Sequence, residues 1–339
     1  MTTTAPVWRI EVDGRPATAE NLLWPALNHP GHFTAMQVRG GKVRGIGRHL
    51  ARLDAATREL FGHELDGERV RALIRHILRG DPGTPTAPGG PDHPGNPTGP
   101  GGPDHPGNPT GPGGSDHAGG PADPADPAGP TTPGDSSHAG NPTAPGASAD
   151  VIDDASLRVH VHAPAGHPSV MVIVRPPTVL PAVLTDRAQS LMSVPYQRPF
   201  AHLKLLGGFA QARYGELARR AGFDDALLTG PGGEISEGAV TNIAFYDSTR
   251  DGPRIVWPNA PHLAGVTMRL LESRLPAAGL PTRHAPVTLA DLPSYAGAFV
   301  TNAWGVSPVR RIDSVAYEID EKVMARVAAV YEDVPWDTV

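Results

Sequence analysis

Two periods of hydrophobicity alternate along the chain, and the places where the period changes mark its elements. Trp8 to Val12 alternates large apolar and charged residues and ends at Asp13-Gly14, a strand followed by a hairpin turn. Phe33 to Arg39, then Gly40-Gly41, then Lys42 to Arg44 predicts a second hairpin. The period then lengthens. Gly47 to Glu59 carries Leu50 and Leu53 ahead of Leu60 and Phe61, the spacing of an amphipathic helix. Asp66 to Leu78 repeats it with Val70, Leu73, Ile74, Ile77 and Leu78 on one face, and Gly80-Asp81-Pro82 stops it.

From Pro82 to about Asp150 neither period survives. The segment GGPDHPGNPTGP recurs at a spacing of 12, from Gly89 and again from Gly101, and then degenerates. The 40 glycines and 39 prolines of the 339-residue chain are concentrated here, with almost no apolar side chain to bury. Proline removes hydrogen-bond donors and glycine raises the entropy cost of ordering, so the stretch reads as a disordered insertion. Its Asp-His pairs (Asp92-His93, Asp104-His105, Asp116-His117) offer metal-ligand chemistry, but a duplicated flexible repeat is the plainer account, and no metal site is assigned.

Order resumes at Ser156. LRVHVHA alternates, which predicts a strand with one face in water, and VMVIVRP is a near-continuous apolar run, which predicts a buried one. Thr178 to Arg198, punctuated by Pro181 and Pro195, reads as an irregular crossing. Beyond it come a helix over Phe209–Ala221, strands at Ala226–Leu228, Val240–Tyr246, Arg254–Trp257 and Gly297–Thr301, and helices over Gly265–Leu275 and Glu318–Tyr331. Strands and helices mix without strict β-α-β alternation, which points to an α+β fold. A smaller N-terminal domain over 1–194, interrupted at about 82–150, and a larger one over 195–339 are expected.

Charge and composition narrow the function classes. A net charge of −6 gives no basic surface for nucleic acid. The absence of cysteine removes disulfides, thiol nucleophiles and thiolate metal sites. No apolar run approaches the roughly 18–20 residues that span a bilayer, and the first residues do not resemble a signal peptide, so a soluble cytoplasmic protein is expected.

Lysine is scarce: only Lys42, Lys204 and Lys322 occur. Lys204 alone lies among apolar residues, Leu203, Leu205 and Leu206. Burial destabilises an ammonium and frees the amine to attack carbonyls; taken alone, a lysine snorkelling to water is the ordinary alternative. Glu237, in ISEGAVTNIAF, sits beside Ile235 and needs a cationic partner if buried, although a turn glutamate would look the same. Val266 and Thr267 follow Gly265 at a helix start, where the first amides and a hydroxyl bind phosphate or Thr267 merely caps the helix. Arg52, in HLARL, is a phosphate ligand or a solvated helix arginine. An amine for an aldehyde, an anion for a ring nitrogen and donors for a phosphate together make the inventory of a pyridoxal 5′-phosphate site.

In this order HLARL, a lysine ahead of a helix, GFDDALL, a turn and ISEGAVTNIAF, LAGVTMRLLE and TNAWGVSPV resemble the class IV aminotransferases. That family includes branched-chain and D-amino-acid aminotransferases and aminodeoxychorismate lyases. The likeness covers nearly everything but about 82–150. It implies the two-domain fold of the type IV pyridoxal-phosphate enzymes, usually in a homodimer. It also implies that Lys204 forms the imine with the cofactor and moves the catalytic proton, and that Glu237 pairs with the pyridine nitrogen. Arg52, Val266, Thr267 and, by position, Asn302 would hold the phosphate. Arg39, Trp304 and Arg310 are candidates to meet the substrate. The implied reaction transfers an amino group between a small amino acid and a 2-keto acid, with pyruvate elimination from aminodeoxychorismate as the alternative and a non-catalytic protein as the remaining one. Phe209 stands where branched-chain enzymes place a tyrosine that reaches the cofactor's phenolic oxygen.

Overall fold

The two glycine-marked turns build the first sheet. A computed structural model describes residues 9–27, 31–79, 151–249 and 252–339; the expected insertion at about 82–150 lies outside the described residues. Strand β1 (Arg9–Val12) turns through Asp13 and Gly14 into β2 (Arg15–Pro16). Helix α1 (Ala19–Leu27) follows, an element the sequence pattern did not announce. Strands β3 (His32–Arg39) and β4 (Lys42–Arg44) close through Gly40 and Gly41 at φ 53° and 68°, the left-handed pair that a two-residue hairpin turn requires. Helices α2 (Ile46–Phe61) and α3 (Gly67–Arg79) come next, the latter headed by Asp66, whose carboxylate accepts from the N–H groups of Glu68 and Arg69. Strands β5 (Ala155–His162) and β6 (Ser169–Arg175) complete the sheet's centre.

The second sheet takes β7 (Gln189–Val194), β8 (Asp225–Thr229), β9 (Ile235–Gly238), β10 (Asn242–Thr249), β11 (Gly252–Pro258), β12 (Thr282–Ala285), β13 (Gly297–Asn302), β14 (Gly305–Ile312) and β15 (Val315–Ala316). Around it lie α4 (Phe209–Arg220), α5 (Val266–Arg274) and α6 (Glu321–Glu332). A last strand, β16 (Trp336–Thr338), returns to the first sheet. The orders are β16-β4-β3-β5-β6-β1-β2 and β12-β11-β10-β13-β14-β7-β8-β9, with β15 on β14. The mixed arrangement is the expected α+β fold. The stretch read as an irregular crossing contains β7, a parallel partner of both β8 and β14; flanking prolines hid it.

Each sheet explains its own hydrophobic pattern. The first is apolar on one face only: Met36, Val38, Leu157, Val159, Val161 and Val172 pack on Leu53, Val70, Ile74 and Ile77 of α2 and α3. The second is covered on both. Along β10, Ile243 and Phe245 enter one core while Ala244 and Tyr246 enter another against α5 and α6, hence its unbroken apolar run. Ile235 of β9 and Val256 of β11, near opposite ends of the strand order, share a core, so this sheet curls on itself. Among the described residues no helix is long and apolar enough to cross a membrane.

The chain leaves α3 and re-enters β5 at one place: the Ile152 N–H donates to the Leu78 carbonyl at 2.8 Å. Replacing residues 82–149 by a four-residue Gly/Ser linker should therefore preserve the fold. Shortening the loop should stabilise it by about 2–3 kcal/mol from closure entropy alone. Urea denaturation followed by near-UV circular dichroism checks this; a lower midpoint would show that the segment contributes to the core.

Candidate active site

Lys204 is delivered to the first sheet by a segment without helix or strand. That segment runs along the start of β3: the Phe33 N–H donates to the Lys204 carbonyl at 2.9 Å, Leu205 bridges His32, and the Leu206 N–H donates to the Gly31 carbonyl at 2.9 Å. The lysine amine lies over the Phe33 ring, 4.8 Å from its centre. The residue keeps some exposed surface while its amine end is enclosed. Burial, and then the charges of Arg52 and Arg198, push its pKa down from 10.5 to about 8, with Glu237 opposing them. About a tenth of this amine is therefore unprotonated at pH 7, far more than for an ordinary lysine.

Arg52 comes from the buried side of α2. Its Nη2 donates to Thr34 Oγ1 at 2.6 Å, and that hydroxyl meets His49 Nδ1, also at 2.6 Å. His49 is buried and held neutral by burial and by Arg52, and its Nδ1 is hydrogen-bonded to the Thr34 hydroxyl that orients the arginine. The Arg52 Nε is buried with no partner, and burial lowers the guanidinium's pKa to about 10. A desolvated guanidinium with an orphaned donor and no carboxylate beside it is a receptor for an anion.

Helix α5 supplies the complementary donors. Gly45, at the head of α2, approaches Val266 and Leu270 so closely that a Cβ there would lie 3.2 and 3.1 Å from them, which puts the starts of α2 and α5 side by side. The N–H groups of Val266 and Thr267 precede the first intrahelical bond, from Arg269 to Gly265. Gly265 leaves no room for a side chain: its Cβ would stand 2.1 Å from Asn242 Oδ1. The Thr267 hydroxyl donates to the Asn302 carbonyl at 2.6 Å, and Asn302 Oδ1 accepts the Trp304 N–H at 2.8 Å. The neighbouring Thr301 hydroxyl is buried without a partner. These orphaned donors fit a phosphate group.

Glu237, on β9, is a buried carboxylate with two partners. Arg198 Nε donates to it at 2.7 Å, both side chains being 7% exposed, and the Leu263 N–H donates at 3.2 Å. Of the site residues read from the sequence, Lys204, Arg52 and Glu237 thus lie within electrostatic reach of one another, and Val266, Thr267 and Asn302 form the adjoining cradle. Two substrate candidates are committed elsewhere. Arg310 donates to the Ala188 carbonyl and to Asp224 at 2.8 Å. Arg39 donates to the carbonyls of Val38 at 2.7 Å and Thr178 at 2.8 Å, and shares with the half-exposed Trp304 the rim of a cavity of about 350 Å³. Phe209 is 79% exposed.

The residues that sequence reasoning missed lie on the alternating strand. Register places Phe33 opposite His160 and Ala35 opposite Arg158, so Arg158, His160 and His162 share the Phe33 face. That face was expected to meet water; it turns to Lys204 instead. Arg158 lies over the Phe33 ring at 5.6 Å and carries no ion pair among the described residues. Burial, and then Arg175, lower its pKa. The run of Arg158, His160 and His162 along one face of a strand was the available signal.

The profile of the Amino-transferase class IV family matches residues 146–312. No curated protein matches the chain. Among solved structures, the chain shares its fold with the branched-chain amino acid aminotransferase of Escherichia coli (TM-score 0.65, 14% identity, 96% of this chain and 94% of that one). It shares it also with the 4-amino-4-deoxychorismate lyase of Pseudomonas aeruginosa (0.62, 19%, 96% and 99%). A hypothetical aminotransferase from Mycobacterium tuberculosis in its PLP-bound form is similar as well (0.61, 16%, 91% and 90%).

Three site histidines set an acid limit. Burial lowers the pKa of His32 to about 4, of His160 to about 3 and of His49 well below 6.5. The unfolded chain takes up these protons first, so the stability present above pH 6.5 is lost as the pH falls through the interval toward those values. Each histidine contributes about 1.4 kcal/mol per pH unit there. Urea denaturation from pH 7 to 5 should show a steep loss, and His160→Leu should flatten it by about one proton's slope; an unchanged slope contradicts the assignment.

Proposed function

As the chain belongs to the class IV aminotransferase family, matched over residues 146–312, we propose that it is a pyridoxal-5′-phosphate-dependent transaminase exchanging an amino group between a small amino acid and a 2-keto acid. The observation that carries the reading is the enclosed Lys204 amine, with the Arg52 guanidinium, its Nε orphaned, and the Glu237 carboxylate both within electrostatic reach. When bound, pyridoxal phosphate supplies an aldehyde that condenses with amines and an electron-poor ring that accepts the electron pair released at a substrate Cα.

This chain's residues do the rest. Arg52, the Val266 and Thr267 amides and the cradle around Asn302 bind the phosphate. Glu237, braced by Arg198, would pair with the ring nitrogen and favour its protonated form. Lys204, its amine about half neutral near pH 8, would be the group that meets the aldehyde and moves the proton of the substrate Cα. Phe33 forms one wall, and Arg158 above it offers a guanidinium to a substrate carboxylate. The exposed Phe209 gives the phenolic oxygen no hydroxyl partner, unlike the tyrosine of branched-chain enzymes. We also read the protein as a homodimer, supported by the large apolar side chains Phe209 and Val240, 79% and 62% exposed.

Reconstitution tests the assignment. The protein with pyridoxal phosphate should absorb at roughly 410–420 nm, and Lys204→Ala should not. Arg52→Gln should weaken cofactor binding by about 10–100-fold, the equivalent of one lost charge-assisted anion contact. With an amino donor, turnover should require a keto acid. Pyruvate release without any keto acid would identify a lyase instead, and a colourless saturated protein would sink both.

A further inference from the structure

Arg198 is the one guanidinium of the site whose nitrogens are all engaged, and its three partners lie on two different parts of the reacting machinery. Its Nε donates to Glu237 at 2.7 Å. Its Nη1 donates to the Leu203 carbonyl at 3.0 Å, and its Nη2 to the Ala201 carbonyl. Leu203 precedes Lys204, and both Ala201 and Leu203 are 5% exposed, so water does not replace these donors. The segment from Arg198 to Lys204 needs the help. It contains Phe200 at φ 50°, a left-handed conformation that a phenylalanine adopts only where its surroundings impose it. A turn bond from the Leu203 N–H to the Phe200 carbonyl at 2.8 Å closes the loop.

We propose that Arg198 is a positioning residue for the reaction: one guanidinium fixes the Glu237 carboxylate and, through the Ala201 and Leu203 carbonyls, the turn that presents Lys204, so that the acid and the amine are held in a single register. This rests on the cofactor reading given above. The fork geometry is essential. Glu237 lies on β9 of the second sheet and Lys204 docks on β3 of the first. The planar guanidinium sets the spacing between them, which a lysine's point charge cannot do. Without Arg198, Glu237 keeps only the Leu263 N–H, too little for a buried carboxylate.

Arg198 also acts on Lys204 by charge, and this gives a readout that mere bracing of the fold would not move. Among the influences on the lysine, Arg198 lowers its pKa more strongly than Glu237 raises it. Removing Arg198 therefore raises the lysine pKa whether Glu237 stays ionised or takes a proton. In the cofactor-free full chain, the rate of Lys204 trinitrophenylation against pH, read by peptide mass spectrometry with Lys42 and Lys322 as internal references, reports this titration. The wild type should show a midpoint near about 8. Arg198→Met should label about 5-fold more slowly at pH 8, as expected for a rise of about one unit.

Arg198→Lys separates the two roles and covers the case in which the methionine variant fails to fold. It keeps a charge but not the fork, so it should label within about twofold of the wild type while binding pyridoxal phosphate at least about tenfold more weakly. Unchanged labelling in a folded Arg198→Met protein, or wild-type cofactor affinity in Arg198→Lys, would overturn the proposal. Lysine labelling needs no cofactor, so a wild type that binds no pyridoxal phosphate would sink the transaminase reading while leaving the Arg198 labelling result to be judged separately.

Discussion

The structure turns on an excess of enclosed positive charge. Arg52, Arg158 and Arg198 converge on Lys204, and Glu237 is the one carboxylate that enters the balance. Burying cations without partners is costly, several kcal/mol per ion even after relaxation. The fold tolerates the excess by giving one guanidinium a carboxylate and the other two something short of a counter-ion. Arg198 has Glu237 and two carbonyls, Arg158 has the face of Phe33, and Arg52 has a threonine hydroxyl and an orphaned nitrogen. The first amides of α5 add a further partial positive charge at the start of that helix.

That charge balance explains why the two sheets are tied together so near the site. Lys204 and Glu237 belong to the second part of the chain, yet the lysine docks on β3, and Arg52 reaches it from a helix covering the first sheet. The closing strand, β16, pairs with β4, and Arg44 stacks between Tyr331 and Trp336 at 4.7 and 4.2 Å. Each contact limits sliding of one sheet over the other, a motion that would separate the amine from the carboxylate. Precise placement of reacting groups is worth several kcal/mol of barrier, so such cross-ties bear directly on chemistry.

How much of this was legible depended on whether a residue's partner could be read from its neighbours. Lys204 stood out because lysine is rare and its flanks are apolar; α5 stood out because glycine, threonine and the helix period coincide. The hairpins and α2, α3, α4 and α6 followed from periodicity. Strand β7 did not, since prolines on either side imitate a loop. Arg198, between a glutamine and a proline, looks like any surface arginine; its meaning lies in Glu237, 39 residues away. Arg39 and Arg310 failed in the opposite sense: composition reveals a guanidinium but not that backbone carbonyls already occupy it. Arg158 was hidden by a sound rule misapplied, because an alternating strand has one polar face, and here that face meets a ligand site and not bulk water.

The cations that make the amine reactive also make the site self-limiting. Arg52 depresses the Lys204 pKa and is at the same time the group best placed to receive a phosphate. Linkage is reciprocal: a charged Lys204 favours an anion on Arg52, and that anion favours a charged Lys204 by the same free energy. The amine is thus most nucleophilic with no anion beside Arg52, and an anion bound there would raise its pKa. Arg198 and Arg158 temper that swing, because their charges act on Lys204 in either condition. A site with Arg52 alone would trade one protonation state for another on binding. With three cations and one carboxylate around it, the lysine keeps a pKa of about 8, not far above neutral.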